Sequence, residues 1–337
     1  MLSLKIFSSL FIALFWLSGC SKEVNIRAIS PAEVGEMSSK KKIAISSFKN
    51  DKYGLSSQIE AQIAKHKLDE KRYFSVVSRK DLKKVLEEQR LQSSELMDES
   101  TASRVGKLIG AQAIINGEVG SSSARMDKYL DNRIRCLKYV KNKGCIKYQT
   151  YYVTCRTIQA SVSANINIVN VQTGLLIYGD SITKEYNGDS CRGRILSSTQ
   201  ALNRLTSSVA SEFVYKLTPH YIYFDVRLLD EIELDDVSDE QEERFENALA
   251  YIEAGRMDKA KKLLRGLLDD LDGESFVVAY VLGVVYEAQA DYIEAKKLYM
   301  MADDLVSRPV DEINLALVRI ERLIIQREEA REQIDAK

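Results

Sequence analysis

Residues 157–168 alternate between polar and apolar side chains without a break, and this run constrains the fold more than any other. The apolar members are Ile158, Ala160, Val162, Ala164, Ile166 and Ile168. Successive side chains of a β-strand point to opposite faces, so the run predicts an antiparallel strand with one buried and one solvated face. Gln172-Thr173-Gly174 then predicts a tight turn, and the residues from Leu175 a returning strand.

The turn also predicts the register of this hairpin. If Val171 faces Leu175, then Ile168 lies opposite Tyr178 and Ala164 lies opposite Ile182, all on the apolar face. This register places the acidic Asp180 opposite Ile166, which the pattern does not explain.

The sequence before this hairpin alternates between short apolar runs and amphipathic stretches. Strands are predicted at 43–48, 74–77 and 113–119, with helices near 55–68, 78–91 and 101–109. A further helix is predicted from about 195 to 217, where Pro219 ends it. We therefore expect residues 42–228 to form one α/β (α+β) domain with a mixed sheet.

The N-terminus has the pattern of a secretory signal peptide. A basic residue, Lys5, precedes an apolar stretch, which ends in Leu17-Ser18-Gly19-Cys20. The stretch is shorter than the ~20 residues of a membrane span. The four residues resemble the lipobox of bacterial lipoproteins, which implies cleavage after residue 19 and lipidation of Cys20. Ser21 implies sorting to the outer membrane, with the protein on its periplasmic face and residues 20–41 as a polar tether.

Four cysteines remain once Cys20 is assigned to the anchor. An oxidising compartment and an even number indicate disulfides, for which three connectivities are possible. The hairpin register places Cys155 opposite Cys191, and Cys136 would then pair with Cys145 across a basic turn. No Cys-x-x-Cys pair occurs, so no metal site is expected.

Basic residues are concentrated in the segment 120–156. Its nine Lys and Arg are Arg125, Lys128, Arg133, Arg135, Lys138, Lys141, Lys143, Lys147 and Arg156, against Asp127 and Asp131. The net charge of the whole chain is only −1, so a general nucleic-acid binder is not expected.

Four blocks resemble the CsgG family, named for the curli production and transport lipoprotein. They are Lys42-Ile43-Ala44-Ile45-Ser46-Ser47-Phe48, residues 74–82, residues 110–119 and Ile168-Val169-Asn170-Val171-Gln172-Thr173-Gly174. The resemblance implies a ring-forming outer-membrane secretion channel whose subunits each contribute two β-hairpins to the pore. A related group contains the LpoB-type activators of penicillin-binding proteins.

The two segments that would supply those hairpins depart from the family pattern. Residues 120–156 carry too many basic groups for a lipid-facing strand, since one at the bilayer midplane costs about 2–4 kcal/mol. Residues 186–194 are short and polar. We expect instead a disulfide-stapled surface hairpin that meets an anionic partner, either lipid head groups or the acidic stretch of a neighbouring subunit.

The C-terminal part shows an internal repeat after an acidic linker at 229–240. Ala248, Tyr251, Gly255, Ala260 and Leu264 recur 35 residues later as Gly283, Tyr286, Ala290, Ala295 and Tyr299. This spacing resembles the tetratricopeptide repeat. We expect two repeats at 241–309 and a capping helix and tail at 310–337. Ordinary helical hairpins remain the alternative.

Repeat arrays of this kind bind partners through a concave face. The resemblance assigns to that face Phe245, Leu249, Ile252, Glu253, Tyr280, Val284 and Glu287, some of which could equally be core against the capping helix.

Catalytic motifs are absent from the sequence, and His66 and His220 are its only histidines. We expect a non-enzymatic outer-membrane lipoprotein without cofactors that scaffolds envelope or secretion machinery through protein partners, with homo-oligomerisation possible. A curli-type channel subunit and a regulator of a peptidoglycan synthase are the alternatives.

Overall fold

The computed structural model describes residues 22–336, which divide into two compact units. The α/β unit contains Ile29–Tyr221 and the described residues from Gln326 onward. The helical unit contains Ile222–Ile325 and the described residues up to Ala28. Both the mixed-sheet domain and the all-helical C-terminal region predicted from the sequence are therefore present. Cys20 and the predicted signal peptide lie outside the described residues.

Nine strands are present in the described part of the chain. They are β1 (Glu23–Ser30), β2 (Lys42–Ile45), β3 (Lys67–Leu68), β4 (Lys71–Arg72), β5 (Ser75–Val76), β6 (Ala113–Val140), β7 (Gly144–Asn170), β8 (Leu176–Ser190) and β9 (His220–Arg227). Five of them form the central sheet of the α/β unit in the order β5-β2-β6-β7-β8. β2 runs parallel to β5 and β6, whereas β6, β7 and β8 are antiparallel, so the sheet is mixed.

The helices of the described residues fall into two groups. Those of the α/β unit are α1 (Leu55–Lys65), α2 (Arg79–Glu88), α3 (Glu99–Ile109) and α4 (Ser198–Leu217). The later ones are α5 (Asp239–Glu253), α6 (Met257–Asp270), α7 (Phe276–Ala288), α8 (Tyr292–Leu305) and α9 (Asp311–Asp335). None of the helices between residues 22 and 336 combines the length and hydropathy that crossing a bilayer requires.

The sheet of the α/β unit is covered by helices on both faces. On one face, Ile59 of α1 and Phe213 of α4 share a core cluster with the apolar side chains of β7. On the other face, Leu82 of α2 and Val105 of α3 pack with Ile114 and Val169. The sheet therefore has one cluster of buried side chains on each side.

The predicted register of the β7–β8 hairpin is confirmed from Ile168 outward, whereas next to the turn an irregularity pairs Val169 with Leu176 in place of the predicted Val171 with Leu175. Ile168 pairs with Tyr178, and Ala164 pairs with Ile182. Asp180 does lie opposite Ile166, and its Oδ2 accepts a hydrogen bond of 2.7 Å from Lys216 Nζ on α4. This bond to Asp180 raises the pKa of the Lys216 ammonium. The acidic residue is thus accommodated by an ion pair.

The predicted tether at 20–41 is wrong for its described residues. Val24, Ile26 and Ala28 are buried in β1, which pairs with β9, and Val34 and Met37 are buried farther along. The period-two spacing of Val24, Ile26 and Ala28 is itself a strand pattern. The apolar side chains of this segment are therefore part of the packed cores.

The acidic linker at 229–240 is also more structured than predicted. It has no helix before α5, but the carboxylate of Glu233 caps the first turn of α7. Its Oε1 accepts a hydrogen bond from Phe276 N at 2.5 Å, and its Oε2 accepts one from Ser275 Oγ at 2.9 Å. A carboxylate at a helix N-terminus satisfies orphan N–H groups and favours the helix dipole.

The last helix extends beyond the predicted cap. Ile313, Ala316, Ile320 and Leu323 of α9 are buried against the other helices of the helical unit, as a capping helix requires. The predicted tail, however, continues as helix to Asp335. In the α/β unit, Gln333 Oε1 accepts a hydrogen bond from Ala32 N at 2.7 Å, so this segment is docked.

Close helix packing in the helical unit depends on Gly283. A methyl group added there would lie 2.6 Å from the ring of Tyr299, which is fully buried on α8. We predict that Gly283→Ala lowers the free energy of unfolding by about 1–3 kcal/mol through overpacking. Gly266→Ala on α6 meets no atom within 4 Å and should instead stabilise by about 0.5–1 kcal/mol.

Urea denaturation of the wild type and of both glycine variants measures and compares their free energies of unfolding. A Gly283→Ala protein as stable as Gly266→Ala would contradict the packing described for α7 and α8.

The two histidines predict how stability depends on pH. Burial lowers the pKa of both His66 and His220, which lie in the α/β unit. Their unfolded pKa is about 6.5, so below that pH the unfolded chain binds more protons than the folded protein. The two histidines should therefore not reduce the free energy of unfolding well above pH 6.5. They should reduce it progressively as the pH is lowered through about 6.5.

Denaturation between pH 5 and 8 measures this slope. Replacing both histidines by Gln should flatten it between pH 5.5 and 7, and an unchanged slope would show that other groups cause it.

Candidate functional site

The most prominent feature of the α/β unit is the hairpin of β6 and β7. The two strands stay paired from Ala113↔Asn170 to Val140↔Gly144, and irregularities interrupt the register near Val119 and Cys136. From residue 120 to residue 154 no side chain whose burial is described is buried. We define residues 120–156 as the basic hairpin, which has neither helix nor strand on its β6 edge among the residues that the structure describes.

Two disulfides fasten the basic hairpin. Cys136 is bonded to Cys145 near the turn, and Cys155 is bonded to Cys191 just after β8 ends. These are the pairs expected from the register. Each cross-link constrains the unfolded chain, a contribution of typically about 2–4 kcal/mol. Asp131, Cys155 and Cys191 lie close together, but the bonded sulfurs are not thiolate ligands for a metal ion.

One face of the basic hairpin carries a polar network. Arg135 donates to Gln149 Oε1 at 2.9 and 2.7 Å, and Arg133 Nε donates to Asp131 Oδ2 at 2.9 Å. Tyr129 Oη donates to Asp189 Oδ2 at 2.8 Å, and this hydrogen bond raises the pKa of the Tyr129 hydroxyl. The charged groups of this face therefore largely satisfy one another.

The opposite face exposes apolar side chains. Met126 pairs with the buried Ile158, so residues at even numbers of β6 continue the core face beyond the helices that cover it. We call the following residues the apolar stripe: Met126, Leu130, Ile134, Tyr148 and Tyr152. Their exposed fractions run from 37% to 68%, and their backbones form regular pairs in the ladder. A row of exposed apolar side chains on one face of a hairpin is a candidate interaction surface.

The predicted partner-binding residues are placed differently by the structure. Phe245, Leu249, Ile252, Tyr280, Val284 and Glu287 are all buried in the core of the helical unit, and only Glu253 is exposed. The prediction that these six residues line an open groove is therefore wrong. They are core residues packed against α9 and the β1–β9 strands, which is the alternative that the sequence left open. Glu287 shows why, because its carboxylate accepts hydrogen bonds from Tyr299 and Arg319 at 2.5–2.8 Å.

The apolar stripe was missed by sequence reasoning because basic residues separate its members. Its signal is the four-residue spacing of Met126, Leu130 and Ile134, repeated by Tyr148 and Tyr152 on the partner strand. In a strand, residues four apart share a face. A period of four among alternating charges would have revealed the stripe once the hairpin was recognised.

Comparison with known proteins identifies the family. Residues 29–229 match the model of the family described as "Curli production assembly/transport component CsgG". The chain belongs to the CsgG family. The match begins at the first residue of the α/β unit and covers the basic hairpin. The family is described as an assembly and transport component of curli production. The family resemblance drawn from the four sequence blocks is confirmed.

Two further comparisons add little to the CsgG assignment. The search of curated proteins found no match. Among solved structures, the LpoB C-terminal domain from Salmonella enterica aligns with 13% identity over 46% of this chain and 95% of that chain. Its TM-score is 0.27, too low to support an inference.

Proposed function

We propose that this CsgG-family protein is a non-enzymatic assembly component of the bacterial envelope and that the basic hairpin is its main docking surface. The observation that carries the proposal is the apolar stripe, which continues the core face of the sheet without any covering element in residues 22–336. The family description, an assembly and transport component, supports the same role. The partner is a protein of the envelope with an apolar surface and acidic groups that match the flanking lysines and arginines.

The helical unit has a different role in this proposal. The expected groove residues are buried, so the two repeat-like hairpins α5–α6 and α7–α8, which we assign as tetratricopeptide-type repeats, act first as a packed module. Exposed apolar side chains are present there too, such as Leu315 and Val318 on α9. They lie on a helix surface with charged neighbours and do not extend a buried face.

Attachment to the outer membrane is assigned to Cys20. The residues Leu17-Ser18-Gly19 before it, of which the last two are small, support cleavage and lipidation, and two or more acyl chains anchor a protein stably. We predict that Cys20→Ala abolishes labelling by radioactive palmitate and leaves an unprocessed chain in the inner-membrane or soluble fraction. Ser21→Ala keeps the cysteine, serves as the control for lipidation and should be labelled as the wild type. Equal labelling of the Cys20→Ala protein would refute the anchor.

The docking surface is tested by photo-crosslinking in living cells. A photoreactive amino acid at Ile134 on the apolar stripe should give discrete adducts, because this side chain is expected to be covered in the envelope. The same group at Gln149 on the polar face, or at Val318 in the helical unit, should give few or none. If adducts form at Val318 and none form at Ile134, the helical unit and not the basic hairpin is the docking surface.

A second candidate, a subunit of an oligomeric transport assembly, is favoured by the free sheet edges. β8 is an edge strand over its whole length, and beyond residue 119 β6 has no strand on the edge opposite β7 among the described residues. Such edges pair readily with another chain. Crosslinks from Ile134 between copies with two different tags, together with a native mass many times 38.1 kDa, would favour this candidate. Adducts with another protein and a single copy per complex would exclude it.

A further inference from the structure

Three arginines surround one open cavity at the base of the basic hairpin. The cavity has a volume of about 550 Å³, and Arg156, Arg192 and Arg194 line it. Arg156 belongs to β7, whereas the other two follow the end of β8. No carboxylate lines the cavity, although acidic residues are as common as basic ones in the whole chain.

The charges of these arginines are not neutralised by the protein. Within residues 22–336, none of the three has a carboxylate oxygen within 4.0 Å. Arg192 donates one hydrogen bond of 3.1 Å, to the hydroxyl of Tyr151, which fixes its direction without compensating its charge. Like charges held near one cavity repel each other, so an anion bound between them would be attracted by all three.

The Cys155–Cys191 disulfide explains why the arginines meet. Each bonded cysteine is followed directly by an arginine, Arg156 or Arg192, so the bond holds these two residues at neighbouring positions. The loop that follows is fixed by a hydrogen bond of 2.6 Å from Gly193 N to Ser190 Oγ. This places Arg194 at the same cavity.

We propose that this cavity binds a phosphate group carried by a larger molecule. Guanidinium groups bind phosphate through paired N–H donors, and a tetrahedral anion can accept from several of them at once. The hydroxyl of Thr154 and the side chain of Gln200, in the first turn of α4, add polar groups to the lining. The positive end of α4 adds to the potential that the arginines create.

The volume indicates more than a free phosphate ion. A phosphorylated sugar or a phospholipid head group fits the space and presents the same chemistry to the arginines. Two residues of the lining, Arg156 and Thr154, share a face of β7 with Tyr152 of the apolar stripe.

Binding of inorganic pyrophosphate, measured by titration calorimetry on the purified mature protein, tests the site for a soluble phosphate. Replacing Arg192 or Arg194 by Gln should weaken binding about tenfold to a hundredfold, because a hydrogen bond to a charged group is lost. Arg204→Gln, an exposed position on α4 outside the cavity, is the matched control and should bind as the wild type. Binding should also weaken as salt is raised.

Vesicles distinguish a lipid head group from a soluble ligand. The same proteins without the lipid anchor are floated with vesicles of phosphatidylcholine alone or with added phosphatidylglycerol. If only the anionic vesicles bind and the Arg192→Gln/Arg194→Gln protein loses this binding, the site takes a head group. If the protein binds pyrophosphate and the same substitutions abolish this binding, the site takes a soluble phosphorylated molecule. If no binding of either probe depends on these arginines, the proposal is overturned.

Discussion

The paired ladder of β6 and β7 is the interaction on which the rest of the α/β unit depends. Its inner half forms the centre of the mixed sheet, where apolar side chains on both faces support the covering helices. Its outer half continues with the same backbone pairing but without those helices. The face of β6 and β7 that is buried under helices in the inner half is therefore exposed in the outer half. The apolar side chains on that exposed face are the apolar stripe.

The outer half is stable as an isolated ribbon for identifiable reasons. A two-stranded hairpin alone is only marginally stable in water. Here the ladder is continuous with a buried sheet, disulfides close it near its turn and at its base, and a polar network covers one face. The hairpin can therefore hold a fixed surface outward, and the arginine cavity lies where the second disulfide joins it to the loop before α4.

Sequence reasoning succeeded where a pattern was both local and periodic. The alternation at 157–168 predicted β7, and the turn at 172–174 predicted the register with β8, because a strand slipped by one residue would bury its polar face. The same register explains why Cys155 faces Cys191. It was less successful where distant packing decides the environment: the spacing of Val24, Ile26 and Ala28 is weak without knowledge of β9, and the repeat pattern could not show that Phe245 and Tyr280 would be covered. Glu287 illustrates the difficulty, since a charged residue is expected at the surface unless its partners, Tyr299 and Arg319, are known.

Deletion of residues 132–152, with Asn-Gly joining Asp131 to Val153, tests the docking role of the hairpin most directly. The cut removes Cys136 and Cys145 together and keeps the Cys155–Cys191 bond. Since no side chain described between these positions is buried, the deleted protein should unfold at a temperature close to that of the wild type. In native gels of solubilised envelopes it should migrate as the free protein, separated from the complex that contains the wild type. Migration in the same complex as the wild type would contradict the account.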